Sequence, residues 1–259
     1  MYDKDFIKAH IPHDAGELFL YGEIDSTNNE ARRLALQGSG AAVFLADKQL
    51  SGRGRMGRSF YSPEGTGIYL SLLLPTDRKA EELLLITSAA AVAVRRAILA
   101  ATGRETGIKW VNDLYYKERK VCGILCESVQ AEERRYIIVG VGINLSTEVF
   151  PDEISSVAGS LGVLGEDKRG ELAALCITEL HRIWRNISDG SIMEEYRRYS
   201  TVLGKEIAYT ENGAAYYGVA ENIDERGRLY VRDGQGGVHI LASGKISLRM
   251  QNAECKMQN

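Results

Sequence analysis

Gly52-Arg53-Gly54-Arg55-Met56-Gly57-Arg58-Ser59 sets three arginines into a glycine-rich run. Each arginine carries permanent positive charge on a planar fork that matches phosphate and carboxylate oxygens. The glycines let the backbone come close to a ligand. Such a loop suits phosphate or acyl-phosphate chemistry. Two nucleotide motifs overlap it. Gly52, Gly54 and Gly57 satisfy G-x-G-x-x-G, and Gly52 through Ser59 nearly fits the phosphate-loop pattern, with Arg58 in place of its lysine. Both motifs need a helix opening directly after the loop, its N-terminus facing the phosphates. Here Ser59-Phe60-Tyr61-Ser62-Pro63-Glu64-Gly65-Thr66-Gly67 follows, and no helix is predicted there. In isolation the loop reads as a solvated basic surface. The rest of the chain shifts that balance.

Four further segments place unusual polar residues at the ends of predicted strands. They are Ser26-Thr27-Asn28, Lys109-Trp110-Val111-Asn112-Asp113-Leu114, Lys120-Val121-Cys122-Gly123-Ile124-Leu125 and Gly140-Val141-Gly142-Ile143-Asn144, and Gln49 stands just before the arginine loop. Each has a plain structural use. Ser26 to Asn28 can be a helix cap, Asn112-Asp113 a turn, and Lys120 a hairpin-edge lysine.

The elements that must position them follow from periodicity. Leu18–Ile24 reads as a strand. A helix then runs to about Gln37, with Thr27 and Glu30 at capping-box spacing and Gly38 and Gly40 at its end. Ala42–Ala46 is a buried strand. Ile68–Leu74 is another, stopped by Pro75. Glu81 to about Thr102 is a long helix, apolar on most faces. Ile108–Val111 is a short strand. Tyr115–Lys117 and Lys120–Val129 form a hairpin across Glu118-Arg119, and Tyr136–Val141 is an apolar strand. Gly170–Ile187 and Met193–Tyr199 read as helices. From Gly204 onward, short strands alternate with turns at Asn212-Gly213, Arg226-Gly227 and Asp233-Gly234, the spacing of a small barrel. A boundary near Ser200 divides the chain into residues 1–200 and 201–259.

Composition sets the limits. The chain has 259 residues, 44% hydrophobic and 26% charged, enough for a full core. A net charge of -3 opposes a general nucleic-acid binder, so the arginine loop is a local feature of an acidic chain. The start has no apolar leader. The longest apolar stretch, Leu83–Ala101, carries Arg95 and Arg96 and does not read as a membrane span. Cys122 and Cys126 on one strand would sit ~13 Å apart, too far for a disulfide. With Cys176 and Cys255 they read as free thiols of a reducing cytoplasm.

In this order the five segments resemble the biotin protein ligases. That family carries S-T-N, Q-x-x-G-R-G-R-x-G-R, K-W-P-N-D, K-x-x-G-I-L-x-E and G-x-G-I-N. Lys120 through Glu127 matches the fourth, and Gly244-Lys245-Ile246-Ser247-Leu248-Arg249 resembles the closing strand. The conjunction is specific, and no single motif is. The resemblance implies an α+β fold. Its catalytic domain would be a mixed β-sheet flanked by helices, class II synthetase-like, followed by a small C-terminal SH3-like β-barrel. It implies activation of biotin by ATP to biotinyl-5′-AMP, then transfer to a lysine of an apo biotin carboxyl carrier protein of acetyl-CoA or a related carboxylase. Mg²⁺ would accompany the ATP.

Residue roles carry over by position. Ser26, Thr27, Asn28, Gln49, Gly52, Arg53, Gly54, Arg55, Lys120, Gly123 and Gly140 would hold biotin. Arg55, Arg58, Phe60, Asn112 and Asn144 would hold ATP or the adenylate. Lys120 and Arg55 would be catalytic. Asp113 is a candidate metal ligand, with a turn or supporting role as its alternative. Three positions depart from the family: Val111 stands for its proline, Phe60 for a frequent Trp, and Met56 for a frequent basic residue. Only 25 residues precede Ser26, too few for a strand and a helix-turn-helix, so the resemblance is to the monofunctional type that binds neither DNA nor membrane. Relatives often dimerise through the catalytic sheet, which leaves a homodimer open. The competing readings are a lipoate or octanoate ligase on a related fold, and an RNA-binding module using the arginine loop.

Overall fold

The computed structural model describes residues 2–79, 82–162, 168–211, 214–242, 244 and 246–248. Its centre is a seven-stranded sheet in the order β1-β2-β3-β7-β6-β5-β4. These strands are β1 (Glu17–Ile24), β2 (Ala42–Gln49), β3 (Gly67–Thr76), β4 (Gly107–Lys109), β5 (Asp113–Tyr116), β6 (Arg119–Ala131) and β7 (Arg134–Asn144). β1 and β2 run parallel and every other pair is antiparallel, so the sheet is mixed.

Side chains alternate across the faces of a strand. On β2, Val43 and Leu45 enter the large core, while Ala42 and Phe44 enter a second cluster with Ala31 and Ala35 of α2 (Thr27–Leu36). Strands covered on both faces need apolar residues at every position. This explains the unbroken runs Ile68-Tyr69-Leu70 and Ile137-Ile138-Val139.

The large core is closed by α3 (Leu83–Thr102), α5 (Lys168–Arg185) and α6 (Gly190–Arg198). α3 is long and apolar enough to cross a membrane by length and composition, and most of it is buried inside the fold. Its two arginines are accommodated by neighbours. Arg95 lies over the Tyr199 ring and donates Nε to Thr106 O at 3.0 Å. Arg96 donates Nε to Glu195 at 2.9 Å. Gly103 ends α3 in the left-handed region at φ 65.

Several elements differ from the sequence reading. Ser26, not Thr27, precedes the first helical residue of α2, and its hydroxyl does not cap the helix. Thr27 uses its hydroxyl elsewhere. β3 runs through Pro75 to Thr76. Its pairing with β2 ends at Leu73, so Pro75 pairs only with Tyr136 and its missing N–H faces no strand. Two helices, α1 (Lys4–His10), capped by Asp3, and α4 (Asp152–Ser155), were not anticipated. The hairpin turn lies at Lys117-Glu118, both at positive φ, one residue before Glu118-Arg119. The Trp110–Val111 peptide is cis.

The C-terminal strands are β8 (Glu206–Glu211), β9 (Ala214–Ile223), β10 (Leu229–Arg232), β11 (Val238–Leu241) and β12 (Ile246–Leu248). They form an antiparallel sheet in the order β11-β10-β9-β8-β12, open between β11 and β12 among the described residues. Ile207, Ile223, Leu229 and Val231 join the same large core as α3. Trp110 Nε1 donates to Gly227 O at 2.8 Å across this junction. The Asn212-Gly213 turn, Lys245, Arg249, Glu81 and Cys255 lie outside the described residues.

Candidate active site

The site is a cavity of about 480 Å³ on the sheet, bounded by the arginine loop, α2, β5–β7 and the 150–158 segment. That size falls in the range of small-molecule sites, about 300–1,000 Å³. Its floor is uncharged and densely hydrogen-bonded. Gln49 Oε1 accepts from Thr27 N at 2.9 Å and from Thr27 Oγ1 at 3.1 Å. Ser71 Oγ lies 2.8 Å from Thr27 Oγ1 and 2.6 Å from Asn28 Oδ1. Thr27, Asn28 and Ser71 are all buried. Gly140 is required beneath them, since a Cβ there would stand 2.0 Å from Asn28 Oδ1.

Above the floor stand cations. Lys120 Nζ lies 2.7 Å from Asp113 Oδ1. A register shift between Leu114 and Tyr115 in the β5–β6 pair accompanies that approach. Arg55 donates Nη1 to Asn112 Oδ1 at 3.1 Å, and Asn112 Nδ2 is held by Ile124 O at 3.0 Å. Burial pulls the Arg55 guanidinium below its ordinary pKa. Burial, reinforced by the Asp113 charge, pushes Tyr115 at the cavity wall up to about 12. Cys126 beside Arg55 is likewise pushed by burial to about 12, and burial also raises Cys122 and Cys176, so none of these thiols is a ready nucleophile.

The arginine loop folds back on itself. Arg53 bridges Ser59, Gly54 N donates to Arg58 O at 2.7 Å, and Phe60 N donates to Gly52 O at 2.8 Å. Met56, at φ 56, and Gly57, at φ 72, make the reversal, and Arg55–Gly57 is one 3-10 turn. No α-helix follows before β3, in keeping with the sequence expectation and unlike the two nucleotide motifs. The Phe60 ring rests on β7, where a Cβ on Gly142 would come within 2.5 Å of it. Gln49 Nε2 closes the loop's neck on Ser62 Oγ at 2.9 Å.

Of the residues singled out from sequence, Ser26, Thr27, Asn28, Gln49, Arg53, Gly54, Arg55, Arg58, Phe60, Asn112, Lys120, Gly123, Gly140 and Asn144 all line this cavity. Gly52 does not. It supports the loop instead, since a Cβ there would meet Phe60 O at 2.3 Å. Arg58 is exposed at the rim. Asn144 Nδ2 donates to Gly159 O at 2.9 Å, which fixes the segment whose Val157 O accepts from Lys120 N. Lys109, from its K-W-x-N-D segment, and Ile246 and Ser247, from the closing strand, line the cavity without having been given a role, and sequence reading missed Ser71, Tyr115 and Phe150 as neighbours of the site. Only Ser71 carried a signal, a lone hydroxyl inside an apolar strand.

Among the described residues no group of three or more His, Cys, Asp or Glu side chains converges on a metal position. Asp113 is the carboxylate at the cavity wall, and it is paired with Lys120. That donor set fits a Mg²⁺ carried mainly by phosphate oxygens rather than a protein cage.

Comparison with known proteins agrees with this arrangement. Residues 22–144 match the model of the biotin/lipoate A/B protein ligase family. The chain is 36% identical over 244 residues to the bifunctional ligase/repressor BirA of Bacillus spizizenii, covering 90% of this chain and 74% of that protein. It is 32% identical over 248 residues to the biotin–[acetyl-CoA-carboxylase] ligase of Mycobacterium tuberculosis, covering 90% of each. The fold superposes on the biotin protein ligase from Aquifex aeolicus, solved in complex with biotin and ATP. The TM-score is 0.74 at 27% identity, over 90% of this chain and 98% of that one.

Proposed function

This chain belongs to the biotin/lipoate A/B protein ligase family, and we propose that it works as a biotin protein ligase. It activates biotin with ATP as biotinyl-5′-AMP and transfers the biotinyl group to a lysine of a biotin carboxyl carrier protein. The observation that carries the reading is one cavity with a neutral hydrogen-bonding floor and a cationic roof of Lys120, Arg55 and Arg58. Such a space suits an acid with a polar but uncharged body and an anionic end, joined to a nucleotide.

The chemistry follows from charge. A biotin carboxylate oxygen bonds to the α-phosphorus of ATP, and the bond from that phosphorus to the bridging oxygen breaks, releasing pyrophosphate. Two anions must meet, and preorganised cations in a site shielded from water offset their repulsion. Lys120 and Arg55 take that role. The acceptor lysine, as a free amine, then attacks the mixed-anhydride carbonyl. AMP leaves, and the amine gives up its proton. Mg²⁺ would supply charge screening for the phosphates, and Asp113 and Asn112 are the side chains of the cavity wall that would hold its water shell.

Ser26, Thr27, Asn28, Gln49, Gly123 and Gly140 hold the biotin body, and Arg53 and Gly54 cover it. Arg58, Phe60, Asn112 and Asn144 hold the adenylate. Residues 1–200 form the catalytic domain. Residues 201–259 form an SH3-like module whose β12 completes the cavity wall. The setting is the cytoplasm, as a monomer or homodimer, with no DNA or membrane needed. The test is mass spectrometry of an apo-carrier domain incubated with this protein, ATP, Mg²⁺ and either biotin or lipoate. A mass increase with lipoate alone would replace the reading by its lipoate alternative.

A further inference from the structure

Glu127 ends the Lys120–Glu127 motif without lining the cavity. Its side chain is 13% exposed, and its carboxylate is shared by three residues, two on α2 and one on the arginine loop. Oε2 accepts from Asn28 Nδ2 at 2.9 Å and from Arg53 Nη1 at 2.9 Å. Oε1 accepts from Arg32 Nη2 at 3.0 Å. One oxygen therefore holds both a residue of the cavity floor and a residue of the arginine loop.

Asn28 has no slack, whereas Arg53 depends on Glu127 for its hold. Asn28 Oδ1 is fixed by Ser71 at 2.6 Å and by the tight approach of Gly140. Arg53 has one further contact, Asn29 Oδ1 at 3.3 Å. From Ser71 the chain of bonds continues through Thr27 and Gln49 to Ser62, the neck of the same loop. A half-exposed arginine on a glycine-rich loop loses side-chain entropy when it is held. A carboxylate already locked by Asn28 and Arg32 lowers that cost, because it is preorganised.

We propose that Glu127 is a positioning residue that couples occupation of the cavity floor to closure of the arginine loop. A ligand that settles on Asn28 steadies the Glu127 carboxylate, and that carboxylate holds Arg53 down. By linkage, a loop held by Arg53 tightens the floor on the ligand. The coupling rests on the ligase reading, and it acts on retention of the adenylate and on biotin affinity more than on the bond-making step.

The experiment compares Glu127→Gln with the native chain in three readouts: rate of adenylate release, KM for biotin, and single-turnover adenylate formation at saturating biotin and ATP. Loss of a charge-assisted bond predicts release faster by about 10- to 100-fold. KM should rise with it, while the formation rate moves least. Arg53→Met should also speed release, and the double variant should be no faster than Arg53→Met alone. Arg32→Met, which removes the partner on Oε1 and leaves the Asn28 and Arg53 bonds on Oε2, should speed release less than Glu127→Gln does. Should Glu127→Gln lose the fold by circular dichroism, Glu127→Asp keeps the charge, retracts the oxygens by one carbon and carries the same expectation. Native release in the Glu127 variant overturns the coupling. So does equal acceleration by Arg32→Met, or multiplication of the two effects in the double variant. A native chain that makes no adenylate overturns the ligase reading itself, and the coupling with it.

Discussion

Lys120 and Asp113 meet at 2.7 Å across the β5–β6 hairpin, so the cation at the centre of the site is already paired in the protein alone. A substrate carboxylate must draw Lys120 away from Asp113 or share it. Lys120→Ala should slow adenylate formation by ~10²–10³, the usual loss for one preorganised electrostatic group. Asp113→Asn keeps the cation and should cost much less. Pyrophosphate release measured for both decides the matter. Equal losses would mean that the ion pair, not the ammonium, is what the reaction needs.

The arginine loop offers a second test. Arg58 is exposed, whereas Arg53 and Arg55 are tied to Glu127 and Asn112. Trypsin should cut after Arg58 first. Biotin and ATP added together should protect all three sites, because anions order such loops. Unchanged cleavage patterns would argue against closure over the adenylate.

Trp110 ties the catalytic sheet to the C-terminal sheet. The indole is 4% exposed and donates to Gly227 O at 2.8 Å. Trp110→Phe removes that donor, leaves a carbonyl short of its partner and opens a cavity. Together these predict a loss of about 2–3 kcal/mol in urea unfolding. Amide exchange in β10 should rise with it. A loss below about 0.5 kcal/mol, the size of an ordinary surface substitution, would mean that the junction does not depend on this bond.

His181 gives a pH dependence with a definite sign. It is buried at 7% exposure, and burial lowers its pKa below the ordinary 6.5, against the opposing pull of Asp14 at 3.9 Å. Asp14 is itself paired with Arg185. As pH falls through the unfolded value, the unfolded chain binds a proton that the folded chain resists. Stability is therefore fully present above that pH and declines below it. His181→Gln should flatten the change in urea midpoint on the acid side of pH ~6.5. An equal slope in both proteins would assign the effect to other groups.

These relationships differ in how far the sequence revealed them. The strands of the sheet were legible because their signals are local: apolar runs, alternation and turn residues. The floor and roof residues were legible only as a conjunction of motifs. What joins them was not. Ser71 pairs with Asn28, and Glu127 with Arg53, through contacts 43 and 74 residues apart. Lys120 meets Asp113 in a hairpin whose register shift no spacing rule announces. Pro75 reads as a strand end because proline cannot donate, yet β2 stops short of it and no donor is needed. The Thr27…Glu30 spacing of a capping box points to Thr27, but tertiary bonds to Gln49 and Ser71 claim its hydroxyl.

Arg55 carries the last prediction. It is held at the cavity by Asn112 and lies mostly out of water, in the part of the loop that reverses direction. A mixed anhydride is useful only while it is retained, and the proposed role of Arg55 is to bind it and hold the loop over it. Arg55→Gly removes the fork and adds backbone freedom. Adenylate should still form, since Lys120 and Arg58 remain. It should leave sooner, because truncating a contact to a bound ligand acts mainly through the off-rate. Released adenylate acylates exposed lysines indiscriminately. The variant mixed with biotin, ATP and serum albumin should therefore label the albumin well above the native level. Labelling at the native level would remove Arg55 from retention and leave that task to Arg53 and its hold on Glu127.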